Sequence, residues 1–226
     1  MGSKNKLKRF KENENFNNVF QPTREELLSG NFKFKGSWAN KVFKNSNPIT
    51  LELGCGKGEY SVELARQNPN INFIGIDIKG ARFWRGAKTA NENNIDNVKF
   101  IRAQIELVEY LFDNNEISEI WITFPDPQIT FKRTKHRLTN LEFLNKYKRI
   151  LNINGCINLK TDSEFLHGYT IGLLQAMKNA EILYSNHDIY KRSGSPKEAT
   201  EIKTHYEKLF SAKGFKINYL RFQLSN

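Results

Sequence analysis

Three glycines at alternate positions separate a strand-like segment from a helix-like segment. They are Gly54, Gly56 and Gly58. The apolar run ITLELG (49–54) predicts a buried strand, and EYSVELARQ (59–67) has the pattern of a helix. Glycine at such a junction lets the backbone come close to a ligand. Asp77 ends the next apolar run, INFIGIDI (71–78), where a carboxylate can accept hydrogen bonds from a ribose diol. The spacing predicts a nucleotide-binding loop, and a simple chain turn is the alternative.

The charges around this loop favour one class of ligand. Glu59 stands where the dinucleotide fingerprint has glycine, and Glu52 precedes the loop. Both carboxylates would repel a pyrophosphate but attract a cationic sulfonium, so the loop predicts S-adenosylmethionine rather than NAD. Gln104, after the run VKFIRA (98–103), could bond the exocyclic amine of adenine or be a solvated loop residue. Cys55 lies inside the loop without a basic neighbour to activate it, which predicts a packing role.

A carboxylate between two prolines follows the fourth apolar segment, ISEIWITFPDP (117–127). Prolines lack an N–H and restrict the backbone, so they would hold Asp126 in one position. Ligands of open α/β sheets bind at the carboxyl ends of strands, which predicts that Asp126 lies beside the cofactor loop. An ordinary turn aspartate is the alternative. The next segment, KRTKHR (132–137), is basic at five of six positions and predicts phosphate contacts, against a merely solvated face.

Two further groups of polar residues occur later in the chain. Asp162 ends the strand-like segment GCINLKTD (155–162), so it also falls at a carboxyl strand end. Thr204, His205, Tyr206 and Glu207 begin a helix-like segment. In such a segment Glu207 by itself indicates a surface charge.

Strand-like and helix-like segments alternate at least four times after Pro48. This alternation is typical of a doubly wound, parallel α/β sheet. Further helices are expected near 164–179 and 201–212, and a last strand at 215–224. Residues 1–47 are polar and basic and predict an arm that is mobile or ordered by a partner, with a short helix after Thr23. Residues 48–226 then form one domain.

The overall composition excludes several classes of protein. The 226 residues include 35 Lys plus Arg and 24 Asp plus Glu, a net charge of +11 that favours a polyanionic partner or simply solubility. Two cysteines cannot form a disulfide framework, and no Cys/His cluster indicates a metal, so a reducing, cytoplasmic location is expected. The longest apolar runs are strand-sized, and the amino terminus lacks the apolar core of a signal peptide. No membrane association is expected.

Together these motifs resemble the bacterial tRNA (guanine-N7-)-methyltransferases, from about residue 3 to residue 223. The segments that carry the resemblance are KNKLKRF (4–10), LELGCGKGEY (51–60), FIGIDIKGAR (73–82), TFPDPQ (123–128), RLTNLEFL (137–144), LKTDSEF (159–165) and T-x-Y-E (204–207). The FPDP turn and the T-x-Y-E element are specific in combination. The glycine loop alone is shared by most class I methyltransferases.

The resemblance implies a mostly parallel, seven-stranded class I methyltransferase sheet with helices on both faces. It implies methyl transfer from S-adenosylmethionine to N7 of a guanosine in the tRNA variable loop, position 46, with S-adenosylhomocysteine as product and no metal. The cofactor contacts that it implies are Glu52, Gly54, Gly56, Gly58, Asp77, Gln104 and Asp126. Asp126 is also the implied catalytic carboxylate. The implied substrate contacts are Asp162, Thr204, His205, Tyr206, Glu207, Lys132 and Lys135.

The chain departs from the family pattern at two places. Thr130 stands where a substrate-contacting lysine is usual, so Lys132 or Lys135 is expected to replace it. Gln104 stands where Asp or Asn is usual. Two alternatives remain: an RNA-binding module without activity, and a methyltransferase for small molecules or proteins. The acidic residues Glu52, Asp77 and Asp126 are all present, which disfavours an inactive RNA-binding module. The net charge of +11 disfavours a small-molecule or protein substrate. For the oligomeric state, the sequence is compatible with both a monomer and a homodimer.

Overall fold

The computed structural model describes residues 3–225 and divides them into two compact units. The first unit ends at Asp113 and the second begins at Asn114. None of the helices within residues 3–225 combines the length and apolar character that a membrane span needs. The same residues contain no group of three or more His, Cys, Asp or Glu side chains suited to a metal ion. The boundary between an arm (1–47) and a domain (48–226) stays a prediction.

The first unit is built on four parallel strands in the order β1-β4-β3-β2. Its strands are β1 (Val19–Phe20), β2 (Ile49–Leu53), β3 (Asn72–Ile76) and β4 (Val98–Ile101). Its helices are α1 (Ser3–Glu14), α2 (Arg24–Leu28), α3 (Glu59–Gln67), α4 (Gly80–Glu92) and α5 (Val108–Leu111), with a π-helical turn at Trp38–Phe43 and a 3-10 turn at Ile105–Leu107. Every residue of β2 and β3 is buried, which explains their continuous apolar sequences.

The second unit also has four strands, in the order β5-β6-β8-β7. Its strands are β5 (Ile117–Thr123), β6 (Leu151–Thr161), β7 (Ala180–Asn186) and β8 (Asn218–Leu224). Its helices are α6 (Leu141–Ile150), α7 (Glu164–Ala176), α8 (Lys197–Glu201) and α9 (His205–Ala212), with a 3-10 turn at Phe131–His136. β5 and β6 are parallel, whereas β8 runs antiparallel to both β6 and β7. The predicted α/β class with mostly parallel strands is therefore confirmed.

The predicted number of seven strands is low by one. The described residues form eight strands, because the amino-terminal arm contributes β1. In this two-residue strand Val19 pairs with Phe100 and Phe20 pairs with Ile101. The Asn18 carbonyl accepts the Phe100 amide at 2.8 Å, so the arm extends the ladder of β4.

The arm packs on its own chain through helix α1. Asn13 Nδ2 donates to the Gly80 carbonyl at 3.0 Å, and Trp84 Nε1 donates to Glu12 Oε2 at 2.6 Å. The Arg9 guanidinium lies 4.5 Å from the centre of the Trp84 ring, a cation–π contact. This part of the predicted arm therefore packs on α4, which offers apolar and polar partners to α1.

Candidate active site

The glycine loop between β2 and α3 turns through three left-handed residues. Gly54, Gly56 and Gly58 have φ values of 75°, 56° and 72°. The Gly56 amide donates to Asp77 Oδ2 at 3.0 Å, which ties the loop to the end of β3. A Cβ built on Gly56 would meet nothing nearer than the Gly54 carbonyl at 3.9 Å. The backbone at Gly56 is therefore uncrowded and can be approached by a ligand.

Gly58 has a different role, because its α-carbon packs against β4 and α4. A Cβ at this position would lie 2.5 Å from the Phe100 ring. The Gly86 amide of α4 donates to the Lys57 carbonyl at 3.0 Å, so loop and helix are in direct contact. At this third position glycine is needed for chain packing as well as for its backbone conformation.

Gly58→Ala is therefore expected to lower the free energy of unfolding by about 3 kcal/mol, from left-handed strain of about 1–2 kcal/mol and overpacking of about 1–3 kcal/mol. Gly30→Ala is the matched control, since Gly30 has φ 75° but nothing within 4 Å of its added Cβ. That variant should lose only about 1–2 kcal/mol. Urea unfolding of both variants gives the comparison, and equal losses would contradict the packing argument.

Two predicted cofactor carboxylates lie beside this loop and are both buried. Glu52 Oε2 accepts the backbone amide of Ser61 at 3.0 Å and the Ser61 hydroxyl at 2.5 Å. Asp77 accepts the Lys79 amide on Oδ1 at 2.7 Å and the Gly56 amide on Oδ2. These donors come from the helix and loop that follow each strand, so the folding of the strand ends fixes both carboxylates.

Burial raises the pKa of the Cys55 thiol, and the charges of Glu52 and Asp77 raise this pKa further. The thiol therefore stays protonated and is a poor nucleophile, in agreement with a packing role. Two acidic side chains, Glu52 and Asp77, therefore lie close enough to the glycine loop to act on its thiol. A cationic ligand is favoured there for the reason given from the sequence.

A groove of about 370 Å³ in the first unit has Gln104 in its wall. Ile78 and Leu27 contribute apolar surface to the lining, and Arg24 and Arg102 contribute charge. Ile78 is half exposed, so its side chain is free to contact the apolar part of a ligand. Gln104 Oε1 accepts a hydrogen bond from Arg24 Nη1, so its side-chain acceptor already has a donor from α2. Sequence reasoning missed both Arg24 and Ile78.

The Asp126 carboxylate lies in a tightly constrained turn of the second unit. Its Oδ1 accepts the Gln128 amide at 3.1 Å, and the side chain is exposed. Phe124 and Gln128 have φ values of 48° and 47°, which are unusual for residues with a side chain. Such strained residues often occur at functional sites, where the surrounding structure enforces them.

Arg137 is the main support of the segment that follows Asp126. It is buried, and it donates from Nε to the Gln128 carbonyl and from Nη2 to the Ile129 carbonyl, each at 3.1 Å. Its guanidinium lies 4.9 Å and 4.4 Å from the ring centres of Phe165 and Tyr169. The basic run 132–137 is therefore not uniform. Its last member holds the chain, and the other cations are exposed, Lys132 and Lys135 among them.

The T-x-Y-E element begins helix α9. Thr204 is its N-cap, and its Oγ1 accepts the Glu207 amide at 3.2 Å. Glu207 is fully buried, so the expectation of a surface charge is wrong. Its Oε2 accepts from Lys160 Nζ at 2.8 Å and its Oε1 accepts from the Tyr190 hydroxyl at 2.5 Å. Burial and the Glu207 carboxylate raise the pKa of Tyr190, which keeps its hydroxyl a donor.

Lys160 connects the three motifs of the second unit. Its carbonyl accepts the amide of Phe124, at the start of the FPDP turn, at 2.8 Å. Its fully buried ammonium donates to Glu207 and to the Ile202 carbonyl, the latter at 2.9 Å. Asp162 lies two residues further on and is half-buried. Lys160 thus bonds to Glu207 directly, bonds to the turn that carries Asp126 at Phe124, and lies two residues before Asp162. Sequence reasoning did not single it out.

The other predicted substrate contacts lie on the same unit. Tyr206 is 49% exposed, and Thr204 is half-buried. The side chain of His205 lies outside the part of the chain that the structure describes. The roles of these residues remain predictions, as do those of the cofactor residues.

Comparison with known proteins identifies the family. A family model described as "Putative methyltransferase" matches residues 46–220. The tRNA (guanine-N(7)-)-methyltransferase of Christiangramia forsetii is 66% identical over 224 residues, covering 99% of this chain and 100% of that protein. The tRNA (guanine-N(7)-)-methyltransferase of Bacteroides fragilis is 41% identical, and the match covers 98% of this chain and 86% of that protein. The solved 16S rRNA methyltransferase KamB shares the fold, with a TM-score of 0.64 at 15% identity over 86% of this chain and 96% of that one. The chain therefore belongs to the tRNA (guanine-N(7)-)-methyltransferase family.

Proposed function

We propose that the chain transfers a methyl group from S-adenosylmethionine to N7 of guanosine 46 in the tRNA variable loop. The products are 7-methylguanosine in tRNA and S-adenosylhomocysteine. The observation that carries the proposal is the similarity over 99% of the chain to an enzyme named for this reaction class. A cytoplasmic location and either a monomeric or a homodimeric state are part of the proposal.

The first unit has features that fit the methyl donor. The backbone at Gly56 is uncrowded, and two acidic side chains, Glu52 and Asp77, lie close to the glycine loop. The groove beside Gln104 offers an apolar wall at Ile78 and polar groups for an adenine edge. When bound, S-adenosylmethionine supplies an electrophilic methyl group on a sulfonium. We assign Glu52, Gly54, Gly56, Gly58, Asp77 and Gln104 to its binding.

The second unit carries the groups proposed to act on guanine. N7 has an in-plane lone pair and no proton, so no side chain has to act as a base before it reacts. Positive charge develops on the purine, and we assign the carboxylate of Asp126 to its stabilisation. The carboxylate of Asp162 would accept from N1–H and the exocyclic amine, which distinguishes guanine from adenine. Thr204, His205 and Tyr206 at the start of α9 complete this site, and buried Glu207 supports them through its bond with Lys160.

Exposed cations supply the affinity for the tRNA backbone. They are Lys6, Lys8, Lys11, Lys132, Arg133 and Lys135. Extruding a base from its stack costs a few kcal/mol, which phosphate contacts elsewhere must offset. Lys132 and Lys135 follow the Asp126 turn and are the candidates to replace the lysine that is absent at position 130.

Incubation with labelled S-adenosylmethionine and tRNA, followed by nucleoside analysis, tests the proposal. We expect label in 7-methylguanosine with a transcript that has G46, and background with the matched transcript that has A46. A 16S rRNA fragment serves as the second substrate, because the structural neighbours include 16S rRNA methyltransferases. Label in rRNA alone, or in another nucleoside, would contradict the proposal.

A further inference from the structure

Phe131 is the most exposed large apolar side chain in the part of the chain that the structure describes. Its exposed fraction is 90%, and that of its neighbour Ile129 is 65%. We call these two residues the apolar tip. Burying an aromatic ring is favourable, so a partner that covers Phe131, which no part of residues 3–225 covers, would gain binding free energy from it.

The backbone under the apolar tip is held firmly. Arg137 binds the Ile129 carbonyl, and the Thr134 hydroxyl donates to the Phe131 carbonyl at 2.7 Å. Asn140 Nδ2 donates to the Lys135 carbonyl at 2.9 Å. These contacts come from buried or half-buried side chains, so they fix the 3-10 turn while Phe131 points away from it. A partner would meet a preorganised ring and would not have to order a loop.

The charge around the apolar tip selects a class of partner. Lys132, Arg133 and Lys135 are exposed beside Phe131. No acidic residue occurs in the sequence between Asp126 and Glu142. An apolar protein surface would meet three uncompensated cations here. A nucleic acid matches both features, since its phosphates pair with the cations and its bases offer π faces.

We propose that Phe131 is a stacking platform for one unstacked base of the tRNA substrate, with its neighbouring cations holding the phosphates on either side. The inference rests on the proposed function, because it takes tRNA as the bound RNA. Sequence-specific RNA recognition usually engages loops and bulges whose bases can be splayed out onto aromatic side chains. A base that leaves its stack beside the target guanosine would find its new partner on Phe131.

Phe131→Ala is expected to weaken tRNA binding about tenfold, or by about 1.4 kcal/mol, because the base loses its aromatic stacking partner. Phe131→Trp should bind as well as the unchanged chain, and Phe131→Leu should behave like the alanine variant although it keeps apolar bulk. Ile153→Ala is the control, since Ile153 is 82% exposed on the same unit but far from the basic turn in sequence. Fluorescence anisotropy with labelled tRNA gives the dissociation constants.

The salt dependence of tRNA binding distinguishes the contribution of base stacking from that of phosphate contacts. Binding of the unchanged chain should weaken steeply with salt, and Phe131→Ala should keep that log–log slope, whereas Lys132→Ala should lower it by about 0.7–0.9. Suppose that the unsubstituted chain binds and methylates tRNA and that Phe131→Ala binds it equally well. This result would overturn the stacking role of Phe131 but leave the proposed function intact. Failure of the unchanged chain to bind tRNA would overturn the proposed function. A change in sedimentation without a change in tRNA affinity would assign Phe131 to contact with a second copy and overturn the stacking role.

Discussion

Replacing Asp126 by alanine is expected to lower kcat about 10²–10³-fold, the range found when one preorganised electrostatic group is removed, while tRNA affinity stays near that of the unchanged chain. The reason is that positive charge reaches the purine only as the methyl group is transferred. A carboxylate that stabilises this charge acts more strongly in the transition state than in the bound substrate. Its loss should therefore appear in kcat and hardly in binding.

The structure gives Asp126 the rigidity that such a role requires. Two prolines flank it, and its own carboxylate accepts the Gln128 amide at 3.1 Å. The left-handed conformations of Phe124 and Gln128 each cost about 1–2 kcal/mol, which only a firmly supported turn can maintain. Buried Arg137 provides that support through the Gln128 carbonyl. Electrostatic stabilisation of a transition state is effective when the charge need not reorganise during the reaction.

Single-turnover methylation and equilibrium tRNA binding are the two measurements. Asp126→Asn keeps the shape and the contact with Gln128 but removes the charge, so it should lose nearly as much activity as alanine. Asp96→Ala is the control, since Asp96 is also exposed in a turn but lies on the first unit before β4. Near-normal turnover in Asp126→Asn would show that the charge of this residue is not catalytic.

The helices and strands of the first unit that follow Pro48 could be predicted well because their signals are local. The predicted helix 59–67 matches α3, since left-handed Gly58 begins it and Asn68 ends it. β2 and β3 are continuous apolar runs because both faces are covered. The same local signals identified the glycine loop and the turn at Asp126, so the motifs of the candidate site were found without the structure.

Features that depend on distant partners could not be predicted. β7 was missed because AEILYSN contains no continuous buried run: of its seven residues only Asn186 is buried, and antiparallel pairing with β8 makes it a strand. Helix α1 packs on α4 through the hydrogen bond from Trp84 to Glu12, and these two residues are 72 positions apart in the sequence. The burial of Glu207 depends on Lys160, 47 residues earlier. Nothing in the sequence near either residue indicates that the other is its partner.

The second large effect that we expect is a loss of stability when the buried ion pair between Lys160 and Glu207 is broken. Both side chains are fully buried, and Nζ to Oε2 is 2.8 Å. Removing one partner of such a pair leaves an uncompensated charge in the interior, which costs about 3–5 kcal/mol. Lys160→Met is therefore expected to lower the free energy of unfolding by about 3–5 kcal/mol and to loosen the FPDP turn, α9 and the end of β6 together. Activity should fall with them, because these segments carry Asp126, Asp162 and the T-x-Y-E element.

Denaturant unfolding of four variants tests this role. Lys216→Met is the matched control, because its pair with Glu164 is long at 3.9 Å and exposed by 56% and 72%, so we expect a change below about 0.5 kcal/mol. The double variant Lys160→Met/Glu207→Leu should recover part of the loss, since neither side chain is then charged. Glu207→Gln separates positioning from direct base contact. If its only effect were a higher KM for tRNA with unchanged unfolding, Glu207 would bind the guanine rather than hold the fold.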